Sequence, residues 1–202
     1  MRAAVLALFV CACAPACATG PTTSVTQVWK ADMAPEAPMR RMLVIGTNMS
    51  DENRRIVEDA FVKALAKRDV EAKQSYLFFD GPSPPPPDRA RAATRKAGFD
   101  GLLALVLKGA REKKEYVPGQ YTGDFWGGVY GSGSWTYEPA RIETDETIVF
   151  EVSLWDPRAL EALAWSAQTE TGDLKTNREF AKSVADKVLP QLEASRFIPP
   201  KR

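Results

Sequence analysis

Histidine is absent from all 202 residues. Without an imidazole there is no Ser-His-Asp or Cys-His nucleophile system, no HExxH zinc site and no other His-ligated metal. An excess of either charge is missing too. The 27 Lys and Arg stand against 26 Asp and Glu, which argues against a polybasic nucleic-acid surface and against an acidic tail. No GxxxxGK[ST] phosphate loop occurs, and no GxGxxG follows a strand and opens a helix. Gly131-Ser132-Gly133-Ser134 departs from the GxSxG elbow, and its serines have no histidine to activate them. These absences lead to the expectation of a chain that is not an enzyme, holds no cofactor and no metal, binds no nucleic acid and has no inferred small-molecule substrate. What is present is ordinary globular composition, 45% hydrophobic and 26% charged, at a length suited to one domain.

Cysteine is confined to the opening stretch MRAAVLALFVCACAPACATG. Arg2 supplies a positive start, Ala3 to Ala14 an apolar run, and small residues follow, as in an export signal. The run is too short for a bilayer, which needs ~20 residues. Ala14-Pro15-Ala16 before Cys17 fits an ordinary signal-peptidase site and also resembles a bacterial lipobox, in which the following cysteine is diacylated and becomes the mature N-terminus. Val10-Cys11-Ala12-Cys13 places a branched aliphatic three residues before Cys13 but leaves a signal of only about a dozen residues. Cys17 is therefore the expected lipidation site, with palmitate among its acyl groups, and Cys13 is the alternative. Ala18, a residue other than Asp, resembles the outer-membrane sorting pattern of enteric bacteria. Removing residues 1–16 also removes Arg2, leaving 26 basic against 26 acidic side chains. The remaining ~185 residues carry no disulfide and must be held by their core alone.

The periodicity predicts one α/β (α+β) domain over 40–197, preceded by a tether over 17–39 and followed by a loose tail over 198–202. Within the tether, Ser24 to Trp29 has the β-branched alternation of an edge strand. Arg41 to Gly46 reads as a buried strand. Ser50 is a helix cap, followed by an apolar stripe at Ile56, Val57, Ala60, Phe61, Ala64 and Leu65. Arg54, Arg55, Glu58, Asp59, Lys63, Lys67 and Arg68 are assigned to the solvated face, with Asp59 and Lys63 at pairing distance. A strand over Val70–Phe79 is expected to stop at the proline-rich connector 81–87, and Asp88 to cap a helix that Gly98 ends. Gly101–Leu107 reads as a central strand that continues through Lys108–Val117 as a solvated hairpin arm. Strands near 147–155 and 164–170 and a closing helix through Phe180, Val184, Val188 and Leu192, kinked or ended by Pro190, complete the pattern. The expected architecture is a mixed sheet of about five strands in the order βαβαβββα, with helices mainly on one face.

One segment does not read as scaffold. Between Val117 and Pro139 fall six of the 13 glycines together with Tyr121, Phe125, Trp126, Tyr130, Trp135 and Tyr137. Glycine permits irregular backbone, and exposed Tyr and Trp give large contact area with few rotatable bonds. The six aromatics are the candidate binding residues. Three readings stand open: a contact surface, a cover folded over the sheet, and disorder. Glu143, Asp145 and Glu146 could form a weak hard-cation site, but read first as solvated loop charge.

Several phrases in order resemble an uncharacterised family of small bacterial envelope lipoproteins. They are the Thr/Ser-rich stretch ending in Trp29, Met42-Leu43-Val44-Ile45 followed by Arg54-Arg55-Ile56-Val57-Glu58, Glu71 through Tyr76, Tyr116-Val117-Pro118-Gly119, and Leu163-Ala164-Trp165-Ser166. The element order is also similar to the domain shared by the curli secretion lipoprotein, the lipoprotein activator of penicillin-binding proteins and the N-terminal part of the Tol-Pal translocation protein. The resemblance implies a lipid-anchored, non-enzymatic protein at the outer membrane, facing the periplasm. Its partners would be the membrane through its lipid and an envelope protein or peptidoglycan. The alternatives are a carboxylate-dependent hydrolase of cell-wall glycan and a passive structural lipoprotein.

Overall fold

Chain direction decides which side of the sheet each helix covers. The computed structural model describes residues 21–32, 35–79, 86–122, 136–158, 162–173 and 175–201. After β1 (Thr22–Lys30), strand β2 (Arg41–Thr47) leads through α1 (Asp51–Ala66) to β3 (Glu71–Gln74). The chain then passes α2 (Ser75–Phe78) and α3 (Pro87–Lys96) to β4 (Gly101–Val117), on the other side of β2. The two parallel crossovers step in opposite directions, so right-handed connections put α1 and α3 on opposite faces. Next come β5 (Gln120–Thr122), β6 (Thr136–Glu138), β7 (Arg141–Asp156), β8 (Ala162–Gly172) and α4 (Asn177–Ala194). The sheet order is β1-β8-β7-β4-β2-β3, parallel across β3-β2-β4 and antiparallel from β4 to β1; β5 and β6 pair separately.

Alternation along the strands divides the apolar residues between two layers. On the first face, Met42 and Val44 of β2, Leu103 and Leu105 of β4, and Phe150, Val152 and Leu154 of β7 meet α1 and α4. Phe61 and Leu65 of α1 and Val184, Val188 and Leu192 of α4 close this layer, and all five are fully buried. Leu43 and Ile45 face the other way, against Ala90 of α3 and Phe79 and Phe99. The single-domain mixed α+β class is as expected, with the two long helices on one face and α3 over a corner of the other. The main sheet has six strands instead of about five, because the edge strand read at Ser24–Trp29 is a full member paired to β8.

Other expectations change. The strand predicted over Val70–Phe79 holds only from Glu71 to Gln74, and Ser75–Phe78 coil into a helical turn. Asp88 sits in the first turn of α3, whose N-cap is Pro86. Gly98 does end α3: at φ 70° its N–H reaches the Arg95 carbonyl while Phe99 N–H reaches that of Thr94. Pro190 does not end α4, which runs on to Ala194. Proline removes one hydrogen bond, but the buried Leu189 and Leu192 on either side hold the last turn against the core. The tail is docked at its start, where Phe197, Ile198 and Pro199 are buried and the Phe197 carbonyl accepts from Met39 N–H at 2.8 Å.

The charged face assigned to α1 is also corrected. Arg54, Glu58 and Arg68 are buried, not solvated. Arg68 bonds Glu193 and the Ala64 carbonyl, joining the end of α1 to α4. Asp59 accepts from the Tyr76 hydroxyl at 2.7 Å and from Gln74 at 2.9 Å.

Candidate functional site

β4 and β7 outrun the sheet. The last β4 residue paired to β2 is Val106, opposite Thr47, and the outermost β7 residue paired to β8 is Ile148, opposite Thr171 on one side and Ala110 on the other. From Arg111 to Val117, paired with Thr147 to Arg141, the two strands continue alone among the described residues. Seven residues at ~3.3 Å each make an arm of about 23 Å. A bulge between Leu107 and Gly109, with Gly109 at φ 126°, marks where the arm leaves the sheet. Arg111, Glu112 and Lys114 along one strand supply charge that discourages indiscriminate strand addition to the edges of the arm, which have no further strand among the described residues. This is the hairpin arm expected over Lys108–Val117. Glu143, Asp145 and Glu146 belong to its second strand, a correction to their assignment to a loop.

Apolar surface returns at the far end. Tyr116 and Ile142 are cross-strand partners and are 68% and 67% exposed, and Tyr137 is 54% exposed. β5 and β6 extend the arm, placing Tyr121 directly opposite Tyr137. Gly119 makes the turn between β4 and β5 possible, because a Cβ there would lie 2.5 Å from the Tyr137 hydroxyl and 2.9 Å from Ala140 N. Of the six candidate aromatics, Tyr137 is placed with its side chain and Tyr121 by its backbone. Phe125, Trp126, Tyr130 and Trp135 lie outside the described residues, as do Cys13 and Cys17. The segment 117–139 is thus entered and left by paired strands. Tyr116 and Ile142, just outside the Gly/aromatic window, join its exposed surface, and their place on the hairpin arm was the available signal.

A second feature was not anticipated. Beneath α3 lies a cavity of 290 Å³ with Ile45, Leu102, Ala104 and Trp155 on its floor and Arg91 and Arg95 at its rim. The sheet's topological switch point, between the carboxyl ends of β2 and β4, offers less. Asn48, at φ 60°, bridges that gap by donating to the Leu107 carbonyl. Asp51 and Glu52 occupy the first turn of α1, where their charge opposes an anion. Despite partial desolvation, Arg54 and Arg55 hold the Asp51 carboxyl below its ordinary value, keeping that charge in place.

The buried carboxylate Glu58 has a structural role. Oε1 accepts from Gly46 N–H at 2.8 Å and Ser75 Oγ at 2.6 Å, and Oε2 accepts from Tyr76 N–H at 3.3 Å. It thereby ties α1 to the end of β2 and caps the turn Ser75–Phe78, which is why the predicted strand breaks there. Burial pushes its carboxyl above the ordinary 4.5, outweighing those bonds and the charge of Arg54. Alongside, the Asp59 hydrogen bond, burial and the charge of Asp59 push the Tyr76 phenol up to about 12.

No protein-family model matches the chain, and no curated protein matches it. Among solved structures it is similar to the PelC dodecamer from Paraburkholderia phytofirmans at 13% identity, covering 87% of this chain and 96% of that one, with a TM-score of 0.44. A PDZ domain protein from Parabacteroides distasonis is 10% identical over 91% of this chain and 38% of that one, TM-score 0.42. Lipoprotein GNA1162 from Neisseria meningitidis is 12% identical over 77% of this chain and 99% of that one, TM-score 0.39. Likeness at this level carries no conclusion about activity or partners. Among the described residues, no helix is long and apolar enough to cross a membrane.

Proposed function

We propose that this chain is an exported envelope protein, anchored by lipid at Cys17, that works through contacts made at the end of its β4–β7 arm and performs no catalysis. The observation that carries the reading is the arm itself: an apolar group of Tyr116, Ile142 and Tyr137 held about 23 Å clear of the sheet on a charged stem. Large exposed apolar side chains gathered at one place mark interaction sites more often than single ones do. The anchor follows from the signal-like start and the cysteine after Ala14-Pro15-Ala16. Two or more acyl chains hold a protein stably where a single chain binds reversibly. On this reading the protein faces the periplasm from the outer membrane, and its partner is an envelope protein or peptidoglycan. The glycan-hydrolase alternative receives no support from Glu58, whose two oxygens are committed to Gly46, Ser75 and Tyr76.

A photo-crosslinking amino acid placed at Ile142 in the full chain, in native envelopes, tests the arm. Leu77, 72% exposed on α2, is the control position. A discrete adduct from Ile142 that is absent from Leu77 is expected. Equal, diffuse labelling from both positions contradicts a contact role for the arm.

A further inference from the structure

The structure assigns a trough on the sheet face opposite α1 and α4 as a binding site for a glycan chain of uncharged, N-acetylated sugars. On this face α3 packs over β2 and β4, beside Leu43, Ile45, Leu102 and Ala104. The trough, of 290 Å³, is lined by residues of β1, β8 and β7. Strand register places its side chains. Trp165, Ala167 and Thr169 of β8 are buried on the α4 side, so Ser166 and Gln168 between them point the other way. Ser166 pairs with Trp29 of β1 and Ser153 of β7, and Gln168 pairs with Gln27 and Glu151. Adjacent rows of side chains therefore cross the same strands, one holding Trp29 and the other holding Gln27 and Gln168. Trp155, on the same face beyond Ser153, donates its indole N–H back to that hydroxyl at 3.1 Å. Strand spacing and rise put Trp29 and Trp155 about 12 Å apart, so one extended ligand reaches both.

The lining selects the occupant. Glu151 is the single charged residue among the described ones that border the trough, and it pairs with Lys108 at 3.0 Å. The next acid on this face of β8, Glu170, pairs with Arg111 at 2.8 Å. Acid and base match one for one, so charge complementarity favours an uncharged ligand. Trp29 is 50% exposed, and the negative face of its ring attracts weakly positive C–H groups such as those on one side of a pyranose. Beside it, the Gln27 and Gln168 amides each offer two N–H donors and a carbonyl acceptor. Neither amide, nor the Ser166 hydroxyl, is committed to a partner among the described residues. An acetamido group presents one N–H and one carbonyl, and ring hydroxyls both donate and accept, so a glycan of acetylated amino sugars satisfies these groups. A lipid tail would take them out of water and give no hydrogen bond in return. The lining shares no residue with the arm, and the test below does not depend on what the arm contacts.

The full chain, held in a sugar-free detergent, is titrated by calorimetry with a tetramer of N-acetylglucosamine. The acetylated tetramer is expected to bind, and the deacetylated, positively charged tetramer and an acidic tetramer of galacturonate are expected to bind at least tenfold more weakly. Trp29→Ala should weaken binding about tenfold, the factor that ~1.4 kcal/mol represents. Because Trp29 also lies on an edge strand, Gln27→Ala combined with Gln168→Ala provides a second variant that keeps the aromatic, and it should give a comparable loss. No heat from the acetylated tetramer, equal affinity for either charged tetramer, or wild-type affinity in both variants would each overturn the assignment. So would a proline-rich peptide that binds the same face more tightly than the tetramer and loses its affinity in Trp29→Ala.

Discussion

Replacing Glu58 tests whether the buried carboxylate organises the first half of the fold. Glu58→Ala removes the acceptor for three donors at once: Gly46 N–H, Ser75 Oγ and Tyr76 N–H. Glu58 and Ser75 are fully buried, so water does not replace the lost bonds without structural change. Removing one member of a buried charged network typically costs about 3–5 kcal/mol, and that is the expected loss here. Glu58→Gln keeps Oε1 as an acceptor for Gly46 and Ser75 but sets an amide N–H against that of Tyr76, so it should cost only about 1–2 kcal/mol. Urea unfolding followed by tryptophan fluorescence measures both, with the slope against urea unchanged. The pH dependence adds a sign. Burial raises the folded carboxyl above 4.5, so between that value and the raised one the folded state binds more protons than the unfolded chain. Stability contributed by this group is full below pH 4.5 and is lost as pH rises through the raised value. The gap between wild type and Glu58→Gln should therefore be widest in acid and narrow toward neutrality. A gap that widens with rising pH, or an alanine variant no less stable than the glutamine one, would refute the reasoning.

Other positions give independent checks. One tyrosine of the wild type should ionise near pH 12 in an ultraviolet titration; Tyr76→Phe removes that component, and Asp59→Asn returns it toward 10. The Trp165 indole N–H, fully buried, has no hydrogen-bond partner among the described residues, so Trp165→Phe should cost only about 1 kcal/mol against about 3–5 for Trp165→Ala in thermal unfolding. A Trp165→Phe variant that loses about 3 kcal/mol or more would contradict an unpaired N–H. Gly119→Ala should speed hydrogen exchange in 116–122 and 136–142 while leaving β2 protected, because the clash with Ala140 N and the Glu138 carbonyl is confined to the end of the arm.

The parts of the fold legible in the sequence are those where a local pattern and the tertiary outcome agree. Met42 to Ile45 alternate between two apolar layers and are buried on both, which is what a continuous apolar run before a capped helix implies. Ser50, Gly98 and the β-branched edge strand carry their own local chemistry, and all three behave as that chemistry dictates. Misread elements depend on partners distant in sequence. Glu58 and Arg54 look like helix-surface charge until Ser75 and Gly46 are brought beside them; the narrow Gly46, whose Cβ would lie 3.1 Å from Arg54 Cγ, is what lets that side chain lie flat. Pro190, itself exposed, is carried by its buried neighbours Leu189 and Leu192, and Ile198 is buried in the same core, which no window around them reveals. The candidate site was legible only in part. Composition located the Gly/aromatic stretch, whereas Tyr116 and Ile142 become neighbours only through strand register. The cavity beneath α3 joins residues of β2, α3, β4 and β7, and no sequence window contains them together.

Acylation is the most direct measure of the central claim, a lipid-anchored protein that presents its arm from the membrane. Cells expressing the full chain are fed labelled palmitate, and the protein is isolated under denaturing conditions. The account predicts label on wild type and none on Cys17→Ser. Label that persists in Cys17→Ser and vanishes in Cys13→Ser would move the anchor to Cys13. An unlabelled wild type would contradict the account.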